Sequence, residues 1–100
     1  MKKLIATCGL AALLALPGLP AAADCYADYK AKRNDPLQLH YGVIALPDGA
    51  CARIEAAQSD IAARIAVDGW TLLTIVSVFD EAGLVDEERR SNAGAFYLRY

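Results

Sequence analysis

One histidine and five tyrosines are the side chains of this 100-residue sequence best suited to proton transfer or to hydrogen-bonded recognition. His40 adjoins Tyr41, and Tyr26, Tyr29, Tyr97 and Tyr100 complete the set. An imidazole among phenols can hold a small polar ligand or move a proton. Nucleophilic catalysis asks for more: a Ser or Cys beside a base, with a third group orienting that base. The strand neighbours of His40 are apolar or aromatic, which makes it a half-exposed strand residue rather than the centre of such a set. No catalytic residue is expected. A small-ligand or minor enzymatic site built on His40 and nearby tyrosines is the alternative.

The acidic cluster Asp80, Glu81, Asp86, Glu87 and Glu88 invites a test for calcium. Calcium loops set oxygen ligands at alternating positions around a glycine turn. "DEAGLVDEE" does not, and Arg89 and Arg90 follow it, so it reads as a solvated loop. A lone His40 cannot make a metal site, and there is no phosphate-cradling glycine loop or dinucleotide fingerprint. Neither a metal nor a cofactor is expected.

The cysteines carry a different chemistry. Met1-Lys2-Lys3, the apolar run Leu4 to Leu16, the breakers Pro17, Gly18 and Pro20, and Ala21-Ala22-Ala23 follow the order of a secretory signal peptide, assigned to residues 1–23. The run is shorter than the about 20 residues a membrane span needs. Cleavage after Ala23 removes Cys8 and leaves Cys25 and Cys51, without a C-x-x-C spacing. In an oxidising compartment the pair is expected to form one disulfide, whose closed loop contributes on the order of 3 kcal/mol. The expected location is periplasmic or secreted, in a Gram-negative bacterium. Removing residues 1–23 leaves 77 residues with eight basic and twelve acidic side chains, a net charge of −4. A mildly acidic chain without a basic stripe is a poor partner for nucleic acid, and no membrane contact is expected after cleavage.

These residues need elements to position them. Residues 24–36 form a polar arm in which Cys25, Tyr26 and Tyr29 fall at helical spacing, closed by Asn34-Asp35-Pro36. Leu37 to Leu46 is the first strand. Ala50 to Val67 is the helix, with Ile54, Ile61 and Ile65 in line, Asp48 as its cap and an Asp60–Arg64 pair on its surface. Gly69 is the left-handed residue past the helix end, and Trp70, the one tryptophan, packs back on the last turn near Ile65. Trp70 to Phe79 is the second strand, with Leu72, Val76 and Val78 on one face and Leu73, Ile75 and Phe79 on the other. Residues 80–94 are a charged connection, and Ala95 to Tyr100 is the last strand. The fold expected is a small α+β domain of βαββ order over residues 37–100, a three-stranded sheet with one helix packed on one face, plus the N-terminal arm.

The strand, the helix, the junction "DGWTLLTIVSV" and the closing "GAFYLRY" resemble a widespread bacterial family of small βαββ domains, catalogued as domain of unknown function 4177. Its hallmark is a helix ending in Gly-Trp followed by an alternating strand. The resemblance covers about residues 39–100 and rests on Gly69, Trp70 and Leu72. The signal peptide, the cysteine pair and the longer loop before the last strand depart from the pattern. The resemblance implies a fold and no reaction.

A single helix covers one face of a sheet, yet the second strand is apolar on both. The arm, a second copy of the chain, or a different protein or ligand must cover the rest. Leu73, Ile75 and Tyr97 are the expected contact surface. The function expected is a non-enzymatic interaction or accessory module, with a homodimer or another periplasmic protein as its partnership.

Overall fold

The computed structural model describes residues 25–100, so the expected leader lies outside the described residues. Cys25, Ala27, Tyr29 and Ala31 alternate with Tyr26, Asp28, Lys30 and Lys32, a period of two that suits a two-faced strand. This segment is β1 (Cys25–Arg33). It is the middle strand of an antiparallel three-stranded sheet, flanked by β2 (Gln38–Leu46) and β3 (Thr71–Phe79) in the order β2-β1-β3. The α+β class and the three-stranded sheet with helix packed on it are as expected. The arm is not: helical spacing of three residues loses to strand alternation over nine. Ala27 and Ala31 leave room for the helix to approach the sheet centre, and both are fully buried.

The expected helix is divided. α1 (Asp48–Cys51) is one turn, Arg53 is extended at φ −132° and ψ 121°, and α2 (Ile54–Ile65) follows. Asp48 is inside the first turn of α1 instead of capping it; Pro47 holds the cap position. Ala57, Ile61 and Ile65 are buried against the sheet with Tyr29, Ile44 and Leu46, while Ile54, at the helix start, is exposed. Burying each of the large aliphatic side chains contributes about 2 kcal/mol. A short 3-10 turn, Ala66–Asp68, ends at Gly69 with φ 83°. Gly69 N–H donates to Ala66 O at 2.9 Å and Trp70 N–H to Ile65 O at 3.2 Å, the paired bonds of a Schellman ending. Trp70 is buried there, as its sequence position predicts.

β3 departs from strict alternation. Ala31 pairs with Leu72 and Lys30 with Thr74; Tyr29 pairs with Ile75 and Asp28 with Ser77. Leu73 and Val76 are the extra residues of two bulges. Each insertion moves the following residues to the other face. Leu72, Ile75 and, opposite Ala27, Val78 therefore lie toward α2, three residues apart. This corrects the expected faces: Ile75 packs on the core instead of standing with Leu73.

The closing segment is the second correction. Residues 95–100 form no strand; a 3-10 turn, Gly94–Phe96, is followed by a single parallel bridge between Tyr97 and Val43, with Leu98 N–H donating to Val43 O at 2.8 Å. Positive φ at Gly94 (53°) and Leu98 (54°) interrupts any extended run. The charged connection holds a 3-10 turn, Glu81–Val85, and α3 (Glu87–Ala93). This segment lies on the side of the sheet away from α2, where Arg89 reaches Asp28 of β1. Part of the second face is thus covered by the chain's own C-terminal region, a covering absent from the three expected.

Candidate functional site

His40 lies on the face of β2 turned toward α2, and it is 9% exposed, not half-exposed. Its imidazole stacks on Phe96 with centroids 3.7 Å apart, meets the edge of Trp70 at 4.2 Å, and meets Tyr29 at 5.3 Å. Nε2 is 3.0 Å from the Tyr29 hydroxyl, and Nδ1 has no hydrogen-bond partner. Gly42 makes this contact attainable: a Cβ there would come within 2.6 Å of Tyr29 Cζ and Oη. Burial, reinforced by the nearby Arg33 guanidinium, pushes the His40 pKa down to about 4. Burial pushes the Tyr29 phenol up to about 12. The two rings share one hydrogen bond and hold two titratable protons, so one polar hydrogen is unshared in either tautomer. A neutral imidazole enclosed in this way serves as a packed core residue better than as a proton carrier.

The second cluster lies on the opposite face. Asp28 is buried and accepts from Tyr41 Oη at 2.6 Å, Ser77 Oγ at 2.6 Å and Arg89 Nε at 3.3 Å. Burial alone would raise this carboxyl, but the Ser77, Tyr41 and Arg89 hydrogen bonds outweigh it and hold the pKa below the ordinary value. The Tyr41 phenol is pushed up to about 12 by burial and by its bond to Asp28. Arg89 also donates to Gly83 O at 2.7 Å and lies over the Phe79 ring at 3.8 Å. Both carboxylate oxygens of Asp28 are engaged: Ser77 and Tyr41 tie it to the two flanking strands, and Arg89 joins the C-terminal segment to the sheet. Sequence reasoning missed Asp28, Ser77 and Arg89 as a group, because an acidic residue on the outward side of a strand is ordinary and its partners come from other elements.

The other expected residues fall in separate places. Cys25 and Cys51 are bonded, with Cα atoms 5.9 Å apart. Leu73 is 50% exposed on β3, while Tyr97 is half-buried beyond β2 with its hydroxyl 3.4 Å from Leu84 O. Leu73, Ile75 and Tyr97 therefore do not form one surface. In the acidic cluster, Asp80 accepts from Ala82 N–H and Asp86 caps α3 through Glu88 and Arg89 N–H. Among the described residues no three His, Cys, Asp or Glu side chains converge as a metal site would require.

The two outer edges of the sheet differ. The β2 edge is closed by Tyr97 and Leu98. The β3 edge pairs with no strand among the described residues. A groove of about 620 Å³ runs along that edge between α2 and β3, lined by Glu55, Gln58, Ser59 and Ala62 on one side and Leu72 to Thr74 on the other. A smaller depression of about 330 Å³ is lined by Lys30, Ala31, Leu39, His40, Tyr41 and Leu73. No described helix is long and apolar enough to cross a membrane. The chain matches no family model, no curated protein and no solved structure.

Proposed function

We propose that the chain is a small secreted interaction module, periplasmic in a Gram-negative cell, that works without catalysis through the open edge of β3. One observation carries this reading. β3 exposes a nine-residue edge, "TLLTIVSVF", without a charged residue or proline, and Leu73, Val76 and Val78 on it are exposed apolar side chains. Soluble proteins commonly protect such edges with charge, proline, bulges or a covering segment; β3 carries two bulges but neither charge nor proline. An edge left uncharged beside a groove is the arrangement that accepts an added strand, with main-chain bonds giving affinity and side-chain pockets giving selectivity. The leader-like N-terminus and the Cys25–Cys51 bond support export.

The ligand-binding alternative at His40 has less support, because its ring is filled in by Phe96, Trp70 and Tyr29. The test is photo-crosslinking in living cells from a reactive side chain placed at Val76, with a second placed at exposed Glu88 as the comparison. Adducts confined to the Val76 probe are expected. Absence of adducts, or equal yield from both positions, overturns the reading.

A further inference from the structure

We propose that residues 80–100 are an acid-released strap: acid frees them from both faces of the sheet while the disulfide-bonded sheet and α2 stay folded. The strap lies at the β2 edge, opposite the edge discussed above.

The segment wraps around the outer side of β2. On the face away from α2, Arg89 reaches Asp28 at 3.3 Å. At the edge, Tyr97 bridges Val43, and Leu98 N–H donates to Val43 O at 2.8 Å. On the helix side, Phe96 stacks on His40 at 3.7 Å. There Tyr100 Oη donates to Asp68 at 2.8 Å, and Tyr100 O accepts from Arg64 at 2.9 Å. Little else holds the strap. Of residues 80–100 only Ala93 is buried. The core cluster draws its buried members from Cys25 to Trp70, with Phe96 and Tyr100 at its margin. The seven-residue α3 is too short to persist by itself. A segment with so few buried apolar contacts opens at lower free energy than the core.

The pins respond to acid. Asp28 and His40 are the buried polar or charged residues among those described, and each holds one side of the strap. Tyr29 and Arg33 face His40 from β1, Trp70 and Phe96 enclose it, and Arg99 lies over the Phe96 ring at 5.9 Å. Among the described residues no carboxylate contacts the imidazole to offset a proton. Lifting Phe96 hydrates one side of the ring, which then takes up a proton more readily than the closed ring, whose pKa is about 4. The open form therefore binds the proton first. Opening gains on closing as pH falls from 6.5 to about 4, by up to about 300-fold.

Asp28 acts at lower pH. Tyr41 faces it from β2, Ser77 from β3 and Arg89 from α3. Arg89 also bonds Gly83 O and lies 3.7 Å from Asp86, both within the strap. Protonating Asp28, below 3.8, removes the ion pair that ties Arg89 to the sheet and leaves its contact with the Phe79 ring. What remains is held by apolar burial of Ile44, Leu46, Ile61 and Ile65 and by the bond from Cys25 of β1 to Cys51 of α1. Release leaves the outer edge of β2 unpaired.

The test is amide-resolved NMR of the oxidised exported protein as pH is lowered from 6.5 through about 4 to below 3.8. Exchange is corrected for the pH dependence of free amides. The expected result is a reversible loss of structure in the strap, with protection of the Leu98 amide falling up to about 300-fold by pH 4, while Ala27, Tyr29 and Ile75 stay in folded positions. The variant His40→Phe keeps a ring against Phe96 that takes no proton, so its release should move to the lower pH at which Asp28 titrates. Simultaneous loss of strap and sheet overturns the proposal, as does a strap that stays protected throughout. Release of a folded His40→Phe variant at the native pH overturns His40 as a pin; if that variant does not fold, the native titration decides alone.

Discussion

The imidazole of His40 lies 3.7 Å from the ring of Phe96, with the two planes 6° from parallel. Phe96 comes from the last turn of the chain and His40 from β2, so this contact joins the C-terminal segment to the helix side of the sheet. A protonated imidazole would have to be buried there with Arg33 nearby and Nδ1 unpartnered.

Stability should therefore fall as pH drops through the histidine range. The folded pKa is depressed to about 4 from 6.5, so the unfolded chain binds the proton first. The contribution is complete above pH 6.5, is lost between pH 6.5 and about 4, and amounts to about 3 kcal/mol. Urea unfolding across this window should show the loss, and His40→Gln should flatten it. A proton NMR titration of His40 with a midpoint at or above 6.5 would contradict the burial argument.

Asp28 extends acid sensitivity to lower pH. Its folded pKa is held below 3.8, so its contribution is present above that value and is lost as pH falls through the depressed one. Asp28→Ala leaves Arg89 without its carboxylate and should cost about 3 kcal/mol. Arg89→Ala should cost a similar amount, and the two losses should not add, because each variant breaks the same pair. Denaturant unfolding of both single variants and the double variant measures the coupling; additive losses would show that Arg89 is held by Phe79 and Gly83 alone.

Gly42→Ala puts a methyl group against the buried Tyr29 ring, whose atoms would lie 2.6 Å from the new carbon. Tyr29 is fully buried and has nowhere to retreat. A loss of about 1–3 kcal/mol is expected from overpacking, accompanied by a rise in the His40 titration midpoint as the two rings separate. A variant as stable as the native chain would show that Tyr29 has an unfilled space behind it.

Replacing Cys25 and Cys51 by Ala, or reducing their bond, should lower stability by about 3 kcal/mol through the freed loop of the unfolded chain. Thermal unfolding of oxidised and reduced protein gives the comparison. Equal midpoints would mean that the loop is already constrained in the unfolded state.

The sequence was legible where a feature is local. Gly69 and Trp70 announce their own turn because a left-handed residue and a returning apolar side chain are needed within two positions. Ile61 and Ile65 announce the buried stripe of α2 in the same way. β1 was not legible, because Cys25, Tyr26 and Tyr29 also fit a helical turn and only the partner strands on both sides decide between the two. The faces of β3 were hidden by two insertions that obey its pairing with β1 and leave no local signature in a run of β-branched residues. The Asp28 cluster draws Tyr41, Ser77 and Arg89 from three elements, so no spacing rule reaches it.

The disulfide also governs the order in which the sheet closes. β1 comes first in the described chain but lies in the middle of the sheet. Its pairing with β2 closes over the five positions from Arg33 to Gln38, and its pairing with β3 over the thirty-nine from Lys32 to Thr71. The longer closure costs about 2 kcal/mol more in chain entropy, so β3 should join last, on a hairpin already formed. The hairpin shortens the path from the start of β1 to β3 only while it stays closed; with Cys25 bonded to Cys51 that path is about half as long even when the hairpin opens. An oxidised chain should then complete its sheet faster than a reduced one, although both make the same strand contacts.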